Sequence, residues 1–165
     1  MEPKLWIPPA TFEAVVENTP LVSIDLVITK LDTMFVGMRK NRPAKDTYFV
    51  PGGRICKDET IEQAFHRIAK NEMGLDIDIK DARFMGVFEH FYPDSTLNAD
   101  CTTHYVVLAY HLTIRDREID SQKVQTQHNG FKFMNNRNII DDDSVHENTK
   151  VYARILKGVY PHKRK

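Results

Sequence analysis

A mixed β-sheet covered by helices on both faces, an α/β (α+β) arrangement, is the fold class this sequence predicts. Three observations lead there. Strand-like segments are interleaved with only a few helical ones. Two of the strands, Phe84 to Phe91 and Thr103 to Thr113, are long and rich in aromatic and branched residues. The 165 residues contain no linker, internal repeat or low-complexity segment. They are expected to form one domain, 1–165, with a core large enough to be stable by itself.

Pro8-Pro9 introduces a short helix over Thr11 to Glu17, ended by Asn18-Thr19-Pro20. Val22 to Thr29 alternates as a strand, and Met34 to Met38 reads as its partner. Tyr48 to Val50 is a third strand, stopped by Pro51-Gly52-Gly53. Ile61 to Met73 is the central helix. Thr60 and Gln63 have capping-box spacing at its start, and Gly74 stands where it should stop. Ile61, Ala64, Phe65, Ile68 and Met73 fall on one face that would pack on the sheet. After the two long strands come a short one, Phe131 to Met134, and a closing helix, Ser144 to Leu156, opened by the capping pattern Ser144-x-x-Glu147. The acidic run Asp141-Asp-Asp143 precedes that helix, where acids favour the helix dipole, and is read as capping and solvated surface rather than a metal patch.

Lysine plus arginine and aspartate plus glutamate are equal at 23 each, so no global field draws nucleic acid or a membrane. No segment has the apolar length of a membrane span, and the N-terminus lacks a signal-peptide core. Cys56 and Cys101 form no metal-type spacing. They are expected to be free thiols in a reduced, cytoplasmic setting. The terminal HKRK is read as solvated surface.

The stretch from Gly53 to Leu75, GRICKDETIEQAFHRIAKNEMGL, carries the chemistry. Gly53, Glu59, Arg67, Glu72, Gly74 and Leu75 fall on the pattern G-x5-E-x7-R-E-U-x-E-E-x-G-U, with U a bulky apolar residue. That is the box of the Nudix superfamily. Ile68 and Asn71 stand at two of its glutamate positions, and Ala69 is a small residue in its first apolar slot. An ordinary amphipathic helix between two turns would explain the apolar stripe. It would not explain six matches in one spaced frame. The flanks Pro20-Leu-Val-Ser-Ile-Asp25, Asn41-Arg-Pro-Ala44, Tyr48-Phe-Val-Pro-Gly-Gly53, Glu89-His-Phe-Tyr92, Thr103-His-Tyr-Val-Val107 and Gln127-His128 resemble the GDP-mannose mannosyl hydrolases. These form a divergent Nudix branch with this altered box. The resemblance runs from about Thr11 to Tyr152.

The resemblance implies a Nudix fold, with a loop-helix-loop motif and a mixed sheet between helices. It implies one Mg2+ per subunit, with Mn2+ as a substitute, held by Glu72, the Gly52 carbonyl and the Gln127 side chain. One charged and two neutral ligands suit a single ion that keeps several waters. Arg39, Arg54 and Arg67 match arginines placed around the diphosphate, where guanidinium forks suit phosphate oxygens. Arg67 has a structural alternative, pairing with Glu59 to hold the loop on the helix. Tyr105 matches a donor to the leaving diphosphate. His128 matches a general base, and imidazole titrates near working pH. Asp25 matches an aspartate facing the sugar; a carboxylate within an apolar strand needs a partner or a task. His90 matches a histidine near the leaving group, and no other histidine is given a role. The implied reaction is Mg-dependent hydrolysis of a GDP-sugar, GDP-mannose or GDP-glucose, by water attack at sugar C1 with inversion. Two alternatives stand beside it: a Nudix pyrophosphatase releasing GMP and sugar 1-phosphate, and a non-catalytic nucleotide-sugar binding module. The polar loop 93–100 is of a kind that covers sites. The resembled family is dimeric, so a homodimer is expected, with Trp6, Ile7 and Phe12 in subunit contacts or in the core.

Overall fold

In the computed structural model, which describes residues 2–97, 100–115, 119 and 128–158, strand β1 (Leu21–Lys30) is the axis of a seven-stranded mixed sheet. On one side it pairs in parallel with β6 (Thr103–Thr113), from Leu21↔Tyr105 to Thr29↔Thr113. β6 pairs antiparallel with β5 (Arg83–Tyr92), the last strand on that side. On the other side β1 meets β2 (Thr33–Arg39) at the hairpin end, Thr29↔Met34 and Lys30↔Thr33. Its first half pairs with β4 (Gly52–Arg54) instead, from Ser23↔Arg54 to Asp25↔Gly52. β2 continues the sheet through β3 (Tyr48–Phe49) and β7 (His128–Asn135). β1 and β2 thus part beyond their hairpin.

Helix α1 (Pro9–Asn18) precedes the sheet, α2 (Ile61–Met73) follows β4, and α3 (Asn136–Asp141) and α4 (Glu147–Leu156) follow β7. Two cores lie on opposite faces of the sheet. Ile24, Leu26 and Ile28 of β1 pack with Phe65, Ile68 and Met73 of α2. Val27 packs with Ile139, Tyr152 and Ala153 of α3 and α4. Side chains alternate along a strand, so β1 is buried on both faces from Ser23 to Thr29. By the same alternation Asp25 shares the α4 face with Val27.

Helix α2 has the predicted bounds. Gln63 N–H donates to Thr60 Oγ1 at 3.2 Å, and Thr60 N–H donates to Gln63 Oε1 at 2.9 Å. Gly74 ends it with φ +71°, a left-handed conformation that glycine adopts without steric cost. Ile61 departs from the expected buried stripe: it is 43% exposed, and Ala69 closes the stripe instead. Periodicity orients a side chain around the helix axis, but it does not fix how far along that axis the sheet reaches.

Other expectations need correction. The third strand ends at Phe49, and the expected stop at Pro51-Gly52-Gly53 opens a further strand, Gly52–Arg54, on β1. The closing helix starts at Glu147, not Ser144, and a separate short helix, α3, precedes it. The Ser144 amide and hydroxyl both donate to Asp142, at 2.8 and 2.5 Å, so this serine closes a turn. His146 is the cap in its place: its Nδ1 accepts the Asn148 N–H at 3.2 Å. Trp6 is 69% exposed and is therefore no core residue. Both cysteines are free. No helix among the described residues is long and apolar enough to cross a membrane.

Candidate active site

A pocket of about 100 Å³ opens on the α4 face, lined by Ser23 and Asp25, Arg39, Pro43, Phe49 and Val50, Gly52 to Arg54, His90, Tyr92 and Tyr105. Register explains why these residues meet. Ser23 lies opposite Arg54, and Tyr105 opposite both Leu21 and His90. Cross-strand partners share a face, so Ser23, Asp25, Arg54, His90 and Tyr105 point the same way. Gly53, one residue off, faces the other side and α2.

Asp25 is buried, and burial pushes its carboxyl up to about 7, against the opposing effects of the Tyr152 hydrogen bond and the Arg39 charge. The Tyr152 hydroxyl donates to Asp25 Oδ2 at 2.8 Å. His90 Nδ1 lies 3.9 Å from the same oxygen. Burial, with the His146 charge adding, drops the His90 imidazole to about 4, so it is neutral at physiological pH. Tyr92 accepts a hydrogen bond from Asn148 Nδ2 at 3.2 Å. Burial raises the Tyr105 phenol above its ordinary value, which keeps it a proton-bearing donor.

Arg39 and Arg54 bring positive charge to the pocket. The Arg39 guanidinium carbon is 5.6 Å from the Phe49 ring centre, and that of Arg54 is 5.0 Å from Phe12. Aromatic faces attract guanidinium without neutralising it. Neither arginine forms a salt bridge among the described residues. Arg67 differs. Its Nε and Nη2 donate to Glu59 at 2.5 and 2.8 Å, and Nη2 also donates to the Arg54 carbonyl at 2.8 Å. Glu59 Oε2 accepts the Cys56 N–H at 2.9 Å. Arg67 does not line the pocket; of the two roles considered for it, this geometry is the structural one.

Ile68 is 1% exposed within the α2 core. A β-carbon on Gly53 would come within 3.1 Å of its Cγ1. The position that carries a glutamate in the usual box therefore serves packing here. Glu72 is half-buried in the last turn of α2, and its charge helps hold the Arg67 guanidinium protonated. Gly52 lies on the pocket wall. His128 pairs with Arg39 through the β2–β7 ladder, which sets its backbone beside a pocket-lining residue, on the edge of β2 away from β1; its side chain and Gln127 lie outside the described residues.

Sequence reasoning missed Tyr92, His146, Asn148 and Tyr152. Glu89-His-Phe-Tyr92 contains the first, but His146 is among the histidines given no role, and no site residue is assigned to the closing helix. The i, i+4 spacing of Asn148 and Tyr152 on one helix was the available signal. The loop after β5 does meet the pocket rim. Arg42 Nε is 3.5 Å from Asp94, and Thr96 Oγ1 donates to the Arg42 carbonyl at 3.0 Å, beside pocket-lining Pro43.

Residues 19–155 match the NUDIX domain family. The chain is 40% identical over 131 residues to the low-salt glycan biosynthesis protein Agl8 of Haloferax volcanii, covering 79% of this chain and 81% of that protein. It is 30% identical over 100 residues to an ADP-ribose pyrophosphatase of Methanocaldococcus jannaschii, covering 61% of this chain and 54% of that protein. The solved MutT NUDIX hydrolase of Burkholderia pseudomallei superposes with a TM-score of 0.65 at 20% identity, over 83% of this chain and 98% of that one. The NUDIX domain of Shewanella oneidensis NrtR, complexed with ADP ribose, superposes with a TM-score of 0.63 at 15% identity, over 92% and 99%. The fold is thus the Nudix fold that the box implied. From the spaced frame, the architecture and the match over most of its length, the chain belongs to the NUDIX domain family, whose members hydrolyse nucleoside diphosphate derivatives.

Proposed function

We propose that this protein hydrolyses a GDP-sugar, with water attacking C1 of the sugar to release GDP and free sugar with inversion. The observation that carries this reading is the pocket's composition. Two arginines that form no salt bridge among the described residues line the same pocket as a buried carboxylate, while the box position at Ile68 is sealed into the opposite core. Arg39 and Arg54 take up the charge of the departing diphosphate, and the Tyr105 hydroxyl donates to it. Asp25 faces the sugar carbon and stabilises positive charge building there. His128 takes the proton of the attacking water. With the leaving group so stabilised, no second carboxylic acid is required, unlike the usual glycosidase pair.

The donor set fits one divalent ion, Mg2+ or Mn2+. Among the described residues no three acidic, imidazole or thiol side chains converge on a point. Glu72, the Gly52 carbonyl and Gln127 would leave such an ion most of its coordination for water and phosphate oxygens, as Mg2+ prefers. The ion supplies charge neutralisation of the diphosphate. We further read the protein as a cytoplasmic homodimer, with exposed Trp6 at the subunit contact; light scattering tests the dimer.

Attack at phosphorus is the second reading, favoured by the likeness to an ADP-ribose pyrophosphatase. Hydrolysis in oxygen-18 water separates the two. Label in free mannose or glucose, with unlabelled GDP, supports attack at carbon. Label in GMP or in sugar 1-phosphate rejects it.

A further inference from the structure

We propose that Tyr152 is a positioning residue, fixing the Asp25 carboxylate in the orientation that faces the sugar carbon; this rests on the reading of the pocket as a nucleotide-sugar site. Asp25 stands mid-strand between Ile24 and Leu26, 6% exposed. Both of its oxygens are placed. A β-carbon at Gly52 would lie 2.6 Å from Oδ1, so the bare glycine backbone gives that oxygen its room. Oδ2 accepts the Tyr152 hydroxyl proton at 2.8 Å.

Tyr152 has no freedom to turn away. It is fully buried in α4, with the Phe88 ring packed edge-on at 5.0 Å. A hydroxyl has one proton to give. That proton goes to Asp25, so His90 Nε2, 3.4 Å from the tyrosine oxygen, is the donor to Tyr152. The single proton of the neutral imidazole is then on Nε2, and Nδ1 turns a lone pair toward Asp25 Oδ2. The carboxylate gains nothing by swinging toward His90. The three groups form a directed chain, His90 to Tyr152 to Asp25, in which each donor orients the next.

Helix α4 makes two further hydrogen bonds to pocket-lining residues, one as donor and one as acceptor. Asn148, one turn earlier on the same helix face, donates to Tyr92, and the hydroxyl of Thr149 accepts the Val50 N–H at 3.3 Å. Helix α4 thus braces pocket-lining Asp25, Val50 and Tyr92 from behind. A carboxylate aimed before the reaction stabilises charge developing at carbon without reorganising. One left loose in an apolar strand would not.

Tyr152→Phe keeps the ring and removes the hydroxyl. The expected result is a kcat for GDP-sugar hydrolysis lowered roughly tenfold to hundredfold, as for loss of a hydrogen bond to a charged group. KM should stay within about twofold, because ground-state contacts to the diphosphate are untouched. In an Asp25→Asn background the same substitution should cause no further loss. An unchanged kcat, or full additivity with Asp25→Asn, overturns the proposal. If the unaltered protein turns over no GDP-sugar with Mg2+, the substrate reading falls. A crystal structure of Tyr152→Phe then decides the positioning role: a carboxylate turned from its present place supports it, and one unmoved overturns it.

Discussion

Arg67 grips Glu59 through two parallel hydrogen bonds, Nε to Oε1 at 2.5 Å and Nη2 to Oε2 at 2.8 Å. The Glu59 side chain is 2% exposed. Arg67→Ala would strand that buried carboxylate and free the Arg54 carbonyl. Removing one partner of such a pair is expected to cost about 2–4 kcal/mol, discounted for the partial exposure of Arg67. Urea unfolding measures it. Unchanged stability with a large rise in KM would instead assign Arg67 to the substrate. Burial pushes the Glu59 carboxyl up, but the Arg67 hydrogen bonds and charge and the Cys56 N–H together hold it below its ordinary value. The stabilisation is present above the unfolded pKa and is lost as pH falls through the folded one, so the Ala and native proteins should converge in acid.

Ile68→Glu tests whether the missing box carboxylate could simply be restored. At 1% exposure among apolar neighbours, the new carboxylate would have no partner in the α2 core. A loss of about 3 kcal/mol or more is expected, without new metal binding. Thermal unfolding with and without Mg2+ reads both. A stable variant that binds a second ion would mean that α2 can rotate this position toward the pocket.

Asp25 should give stability a recognisable pH dependence. Its folded value, about 7, lies above the ordinary 3.8. Between the two values, the native state therefore holds a proton that the unfolded chain has lost. Its contribution is intact below the unfolded value and is lost as pH rises through about 7, by at most about 1.4 kcal/mol per pH unit. His90, depressed to about 4, acts oppositely: its contribution is intact above the ordinary 6.5 and is lost as pH falls through about 4. Asp25→Asn removes the first term and keeps the second. Relative to the native protein, the Asn variant should gain stability from pH 5 to pH 8; a constant difference in denaturant midpoints would refute this.

Arg39→Ala and Arg54→Ala should each reduce kcat/KM by about 10- to 100-fold, the scale of a charge-assisted contact to phosphate. Steady-state kinetics should reveal smaller losses for lysine at either position, because a point charge remains while the fork is lost. Equal kinetics for all variants would remove the arginines from the diphosphate.

Chelation of divalent ions should abolish turnover, and Glu72→Gln should raise the Mg2+ concentration required for half activity. His128→Gln should lower kcat by about 10²- to 10⁴-fold, the range for loss of a general base, without altering that Mg2+ requirement. A metal titration of activity for both variants separates the two roles. If His128→Gln shifts the metal requirement instead, the histidine belongs to the ion.

Much of the scaffold follows from the sequence by itself. The bounds of α2, its Thr60–Gln63 box and its Gly74 stop depend on contacts within a turn or two, and such contacts are written in neighbouring residues. The strand Thr103–Thr113 and the spaced frame from Gly53 to Leu75 are legible for the same reason. Tertiary structure alone decided which side of the sheet each side chain serves. β1 is buried on both faces, so its apolar run concealed that Asp25 faces α4 while Ile24 faces α2. Asp25 and Tyr152 are 127 positions apart, and His90 reaches them from a third element. Their meeting depends on register between β1, β6 and β5 and on where α4 settles, which no local pattern encodes. Ile61 and Ser144 make the same point in reverse. Each fits its local pattern, and each was overruled, one by the reach of the sheet and the other by a carboxylate two residues away.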